Sequence, residues 1–168
     1  MNYVLADLAI PDDAAAVRTL LNAYASDPYG DGHPLDEDVL RELIPGLRAH
    51  PTTEILLAKL DAADGDSAAV GRAVGIAICF RGFSTFAARP LLNIHDFFVL
   101  PEMRGRGVGP GLMAAVEAHA RTLGCCKLTL EVQENNRTAQ SLYERAGFRQ
   151  ATYVAEAGGQ LFLSKKLG

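Results

Sequence analysis

Cysteine is scarce: the 168-residue chain has three, Cys79, Cys125 and Cys126, two of them adjacent. An odd count with that spacing does not make a disulfide framework. No cysteine–histidine pair has zinc-ligand spacing, so no metal is expected. All three read as reduced residues on strands or strand edges of a cytoplasmic protein. A basic excess is also missing: 16 Lys+Arg stand against 20 Asp+Glu, a formal charge of −4. Nucleic-acid binders carry the opposite balance, so no nucleic-acid partner is expected. The mild acidity is compatible with a cationic substrate. No apolar run approaches the ~18 residues of a membrane span, so no membrane partner is expected. The first residues contain Asp7 and lack a basic segment ahead of an apolar run, which is not a signal-peptide pattern. No repeat and no shift in composition marks a domain boundary.

What is present is ordinary globular material, 49% apolar and 21% charged. A chain of this length buries roughly 70% of its unfolded surface, so one domain over 1–168 is expected. Strands are predicted at 3–8, 54–60, 70–80, 91–100, 127–132, 148–154 and 161–166. Helices are predicted from Ile10 through Tyr24, from about Asp36 through Leu47, over 111–123, and from Asn136 to Arg145. Pro45 should bend the second helix or end it early. The segments 27–34, 61–69, 83–90 and 101–109 read as loops. Helices interspersed among strands make an α/β class with one mixed sheet.

The informative stretch runs from Leu91 to Phe148. The strand 91–100 is apolar apart from Asn93 and the pair His95-Asp96. After it comes Arg104-Gly105-Arg106-Gly107-Val108-Gly109, and then a helix. Alternate glycines let the backbone turn tightly and approach a ligand. A helix start behind them offers unbonded N–H groups and a positive dipole end, which suits phosphate. A turn that binds nothing is the plain alternative. The dinucleotide fingerprint fails at Pro110, and no Gly-Lys-Ser/Thr follows, so neither nucleotide motif fits.

The pattern Arg104-x-x-Gly107-x-Gly109 between strand and helix resembles the acyl-CoA pyrophosphate loop of the GNAT superfamily of N-acetyltransferases. Downstream, Asn136-x-x-Ala139-x-x-Leu142-Tyr143-Glu144-x-Ala146-Gly147-Phe148 resembles that superfamily's second hallmark. Ile94-His95-Asp96-Phe97-Phe98-Val99 is similar to one strand of the diamine/polyamine acetyltransferases, with His95 standing where those have glutamate.

The resemblance implies a GNAT-like sheet, mixed and mostly antiparallel, flanked by helices and splayed at an acyl-CoA site. It implies acetyl transfer from acetyl-CoA to a primary amine of a small molecule, without a metal, in a homodimer. A protein or peptide N-acetyltransferase and a non-catalytic acyl-CoA-binding module stay open as alternatives. The backbone of Arg104, Gly105, Arg106, Gly107, Val108 and Gly109 would hold the pyrophosphate, with the two arginine side chains adding charge or lying in solvent. The backbones of Phe98, Val99 and Leu100 would pair with the pantetheine arm, and Asn136 would bond to it or cap its helix. Tyr143 would protonate the leaving thiolate, or pack in its helix stripe. His95 would take the proton from the amine, directly or through a water, because an imidazole accepts protons near neutral pH, or would sit as a hydrogen-bonded core histidine. In a regular strand Asp96 points to the opposite face from His95. Glu131 is a second candidate base. Tyr24, Tyr29 and His33, with Asp27 and Asp31 nearby, offer acids and aromatics that suit an alkylammonium.

Overall fold

The computed structural model describes residues 1–61, 71–151 and 163–165. The chain divides into two compact units, Met1–Leu130 and Glu131–Gly168. The first unit runs β1 (Asn2–Leu5), α1 (Pro11–Ala25), α2 (Glu37–Ala49), β2 (Thr53–Lys59), β3 (Ala73–Ser84), β4 (Arg89–Val99), α3 (Val108–Thr122) and β5 (Leu128–Leu130). The second contains α4 (Arg137–Arg145). The sheet order is β1-β2-β3-β4-β5. The first four strands pair antiparallel and β5 runs parallel to β4. This is the mixed, mostly antiparallel sheet that the resemblance implied.

Near-continuous apolar runs mark the central strands because helices cover both faces. On one face, Val17, Leu20 and Leu21 of α1 and Ile44 of α2 pack on Ile55, Leu57, Ile76, Ile78 and Phe98. On the other, Val108 of α3 joins Ala58 and Val74. Gly111 lets α3 sit close to β1, since a Cβ there would lie 2.0 Å from the Tyr3 hydroxyl oxygen. The start of α1 is tied to the sheet electrostatically. Lys59 Nζ lies 2.6 Å from Asp13 Oδ1, and the Asp7 amide donates to Asp13 Oδ2 at 2.9 Å.

Several element edges differ from the sequence reading. Pro45 neither ends nor shortens α2, which continues to Ala49. Pro45 has no amide to donate to the Arg41 carbonyl, and both residues lie on the exposed side of the helix, where water can take that bond. β3 and β4 reach into the expected 83–90 loop and pair as far as Ser84 with Arg89, leaving a turn at 85–88. β5 is three residues long rather than six. The helix expected from Gly111 begins at Val108, which puts Val108, Gly109 and Pro110 in its first turn. Of the expected strands 148–154 and 161–166, the described residues 148–151 and 163–165 form no strand; the rest of both, and all of the expected 61–69 loop but Asp61, lie outside the described residues.

Two features of β4 position the site. β5 pairs with β4 only at Leu92, Asn93 and Ile94. From His95 to Val99, β4 continues without β5 beside it. The sheet therefore opens at Ile94, which is the splay that was expected. The second feature is a bulge. Ile78 pairs with Asp96 and its neighbour Cys79 pairs with Ile94, so His95 is an extra residue in β4.

Candidate active site

Elementary strand geometry sends neighbouring side chains to opposite faces. A bulge breaks that alternation and re-aims a side chain. Here it places His95 and Asp96 on one face, correcting the expectation that only one of them could line a site. Asp96 stands opposite Ile78, a member of the core under α1 and α2. The exposed His95 packs its ring edge-on against Phe80, a partly buried residue at the border of that core, with centroids 5.4 Å apart.

Tyr24, near the end of α1, lies close enough to Asp96 to feel its charge. Its ring lies 5.5 Å from that of Phe98. Burial raises the Tyr24 phenol above its ordinary pKa, and the charges of Asp96, Asp27 and Asp31 raise it further. Burial also raises the Asp96 carboxyl, against the opposing charge of His95. Acid from β4 and acid from the loop after α1 thus converge around one phenol. Tyr29 sits in that loop, its amide donating to Asp27 Oδ1 at 3.1 Å. His33 is exposed, with Nδ1 3.0 Å from the Pro34 carbonyl.

Beyond β4, a 3-10 turn at Pro101–Met103 leads into the glycine loop. Gly105 and Gly107 hold φ of +75° and +82°, the left-handed region that glycine enters without penalty. Neither has a heavy atom within 4 Å of where a Cβ would stand. Among the described residues, the amides of Gly105, Arg106, Gly107, Val108 and Gly109 donate to no protein acceptor. Unbonded amides in sequence at a helix start make an anion cradle. Pro110, the third residue of α3, leaves a gap in it. This arrangement fits a CoA pyrophosphate.

The two arginines of the loop differ. Arg106 is exposed and makes no ion pair among the described residues. The Arg104 side chain turns away from the cradle amides toward Asp27 and Val99. On the strand, the Leu100 amide is bonded to the Val74 carbonyl at 3.0 Å, so it belongs to the β3 side. By antiparallel alternation the Phe98 groups also face β3, whereas those of Val99 face the open edge. Of the three residues expected to meet pantetheine, Val99 is the one whose backbone points that way.

In the second unit, Asn136 caps α4 by accepting from the Ala139 amide at 3.1 Å. Gly147, with φ +91°, follows its end. Tyr143 is buried on α4, and its ring lies 5.9 Å from that of Phe148. Glu131 lies just past the end of β5 and is exposed. No cluster of three or more metal-ligating side chains occurs among the described residues. Nor is any helix among them long and apolar enough to cross a membrane.

The sequence profile of the acetyltransferase (GNAT) family matches residues 15–148. The chain belongs to that family. This GNAT-family chain is 28% identical over 153 residues to the thialysine N-epsilon-acetyltransferase of Bos taurus, covering 90% of the chain and 88% of the bovine protein. It is 33% identical over 82 residues to the uncharacterized N-acetyltransferase YhfO of Bacillus subtilis, covering 49% of the chain and 55% of YhfO. The match thus spans about half the length of that relative. A solved structure of a probable acetyltransferase superposes with a TM-score of 0.77 at 22% identity, covering 99% of this chain and 100% of the other. At that identity the likeness shows the fold.

Proposed function

We propose that this GNAT chain transfers an acetyl group from acetyl-CoA to the primary amine of a small molecule. The bulge that gathers His95 and Asp96 on one face beside Tyr24 carries the reading. It lies on the strand that ends at the amide cradle. The thialysine relative supports an aminoalkyl acceptor, because that protein's name specifies acetylation of an amine.

The chemistry needs proximity, a proton acceptor and charge placement. The cradle 105–109 binds the donor's phosphates, and the open edge of β4 at Val99 orients its pantetheine arm. An incoming alkylammonium is drawn to Asp96 and Asp31 and stacks against Tyr24. His95 takes its proton. The neutral amine then attacks the thioester carbonyl; the new N–C bond forms as the C–S bond breaks, the thiolate leaves, and the surplus proton on the acylated nitrogen passes to water. Protonation of that thiolate by Tyr143 and a bond from Asn136 to the pantetheine are the roles that the family resemblance implies for the second unit.

Thiol release from acetyl-CoA tests the reading, with thialysine, polyamines, aminoglycosides, free amino acids and short peptides as acceptors. Release with small diamines exceeding that with peptides is the expected result. Peptide preference would instead make this a protein acetyltransferase. Binding of acetyl-CoA without release from any acceptor would make it a binding module. In a positive assay, Tyr143→Phe should lower kcat about tenfold at unchanged acetyl-CoA KM. The effect is small for a general acid because a thiolate is a tolerable leaving group near neutral pH.

A further inference from the structure

Arg104 opens the donor loop, yet its side chain is held elsewhere at three points. Its Nε donates to the Val99 carbonyl at 3.0 Å. Its Nη2 donates to Asp27 Oδ2 at 2.7 Å. Its guanidinium carbon lies 5.5 Å from the centroid of the Phe98 ring. Asp27 is 6% exposed, so its charge has little water to rely on. The other carboxylate oxygen of Asp27 accepts from the Tyr29 amide, and its carbonyl accepts from the Gly30 amide at 2.8 Å. One guanidinium therefore joins the end of β4 to the loop 26–36 that follows α1. A planar fork with separate donors can bridge two such acceptors at once, whereas an ammonium cannot hold the same geometry.

We propose that Arg104 is a positioning residue for the acceptor side, clamping Asp27 and thereby fixing the loop that carries Tyr29, rather than a phosphate ligand. The proposal rests on the functional reading above only in assigning loop 26–36 to the acceptor. The clamp sets the wall of the amine pocket from the same residue that begins the donor cradle.

The test compares wild type with Arg104→Ala, Asp27→Asn and the double variant. Asn keeps an oxygen for the Tyr29 amide, so Asp27→Asn removes chiefly the charge that Arg104 meets. Amide hydrogen exchange over 26–36 is read first, with thermal melting as the control for global folding. Each single variant should speed exchange at Tyr29 and Gly30 about tenfold, and the double should match the singles, because both remove one shared contact. The coenzyme A dissociation constant, measured by calorimetry, should stay within about twofold in Asp27→Asn. With thialysine as acceptor, the amine KM should rise about tenfold while kcat and the acetyl-CoA KM hold. If Arg104→Ala loses tenfold or more in coenzyme A affinity while exchange over 26–36 is unchanged, Arg104 is a phosphate ligand and the proposal fails. Additive effects in the double variant overturn it too. Exchange needs neither acceptor nor donor, so it judges the clamp even if thialysine is not acetylated.

Discussion

His95→Ala and Asp96→Asn are expected to damage catalysis in different ways. Removing the proton acceptor should lower kcat about 100-fold with little change in the amine KM. Removing the carboxylate should raise the amine KM and lower kcat/KM about 50-fold, because a hydrogen bond to a charged group contributes about 1.5–3 kcal/mol. The stability signature separates Asp96 from a structural residue. Burial raises its carboxyl above 3.8 in the folded protein. The folded state then holds a proton that the unfolded state has released, so stability falls as pH climbs from 3.8 through the raised value. Asp96→Asn lacks that liability. It should be at least as stable as wild type in urea at neutral pH while being far less active. A variant that lost stability and activity together would place Asp96 in the packing rather than in the pocket.

The legible parts of this fold are those written in local chemistry. Alternate glycines at 105, 107 and 109 marked the loop, and Asn136 with Gly147 marked the two ends of α4. The succession of strands and helices along the first unit was legible because helical and strand periodicities differ. The bulge at His95 was not, since register depends on pairing between β3 and β4 and not on either strand alone. The same holds for Arg104. Its partner Asp27 lies 77 residues away, and only the fold brings them together. The Arg104 side chain fitted a phosphate role from its neighbours in sequence; its neighbours in space are an acid and a carbonyl.

Asp13→Ala is expected to lower the unfolding free energy by about 3 kcal/mol at neutral pH, near the low end for breaking a buried ion pair. Asp13 is 5% exposed, and it meets both the Lys59 ammonium and the Asp7 amide. It is the third residue of α1, where a carboxylate also suits the helix dipole. Melting should fall by about 6–12 °C in a chain of this size. Burial alone would raise the Asp13 carboxyl. The hydrogen bonds from Lys59 and the Asp7 amide, with the Lys59 charge, outweigh it and leave the pKa below the ordinary 3.8. An acid lowered in the folded state stabilises fully above its unfolded value, and that contribution is lost as pH falls through the folded one. The gap between wild type and Asp13→Ala should therefore be constant from neutral pH to about pH 4 and close below it. Lys59→Met should cost at least as much, because it leaves the carboxylate buried without its cation. A gap that persisted unchanged well below pH 3 would mean that Asp13 contributes by packing and not by charge.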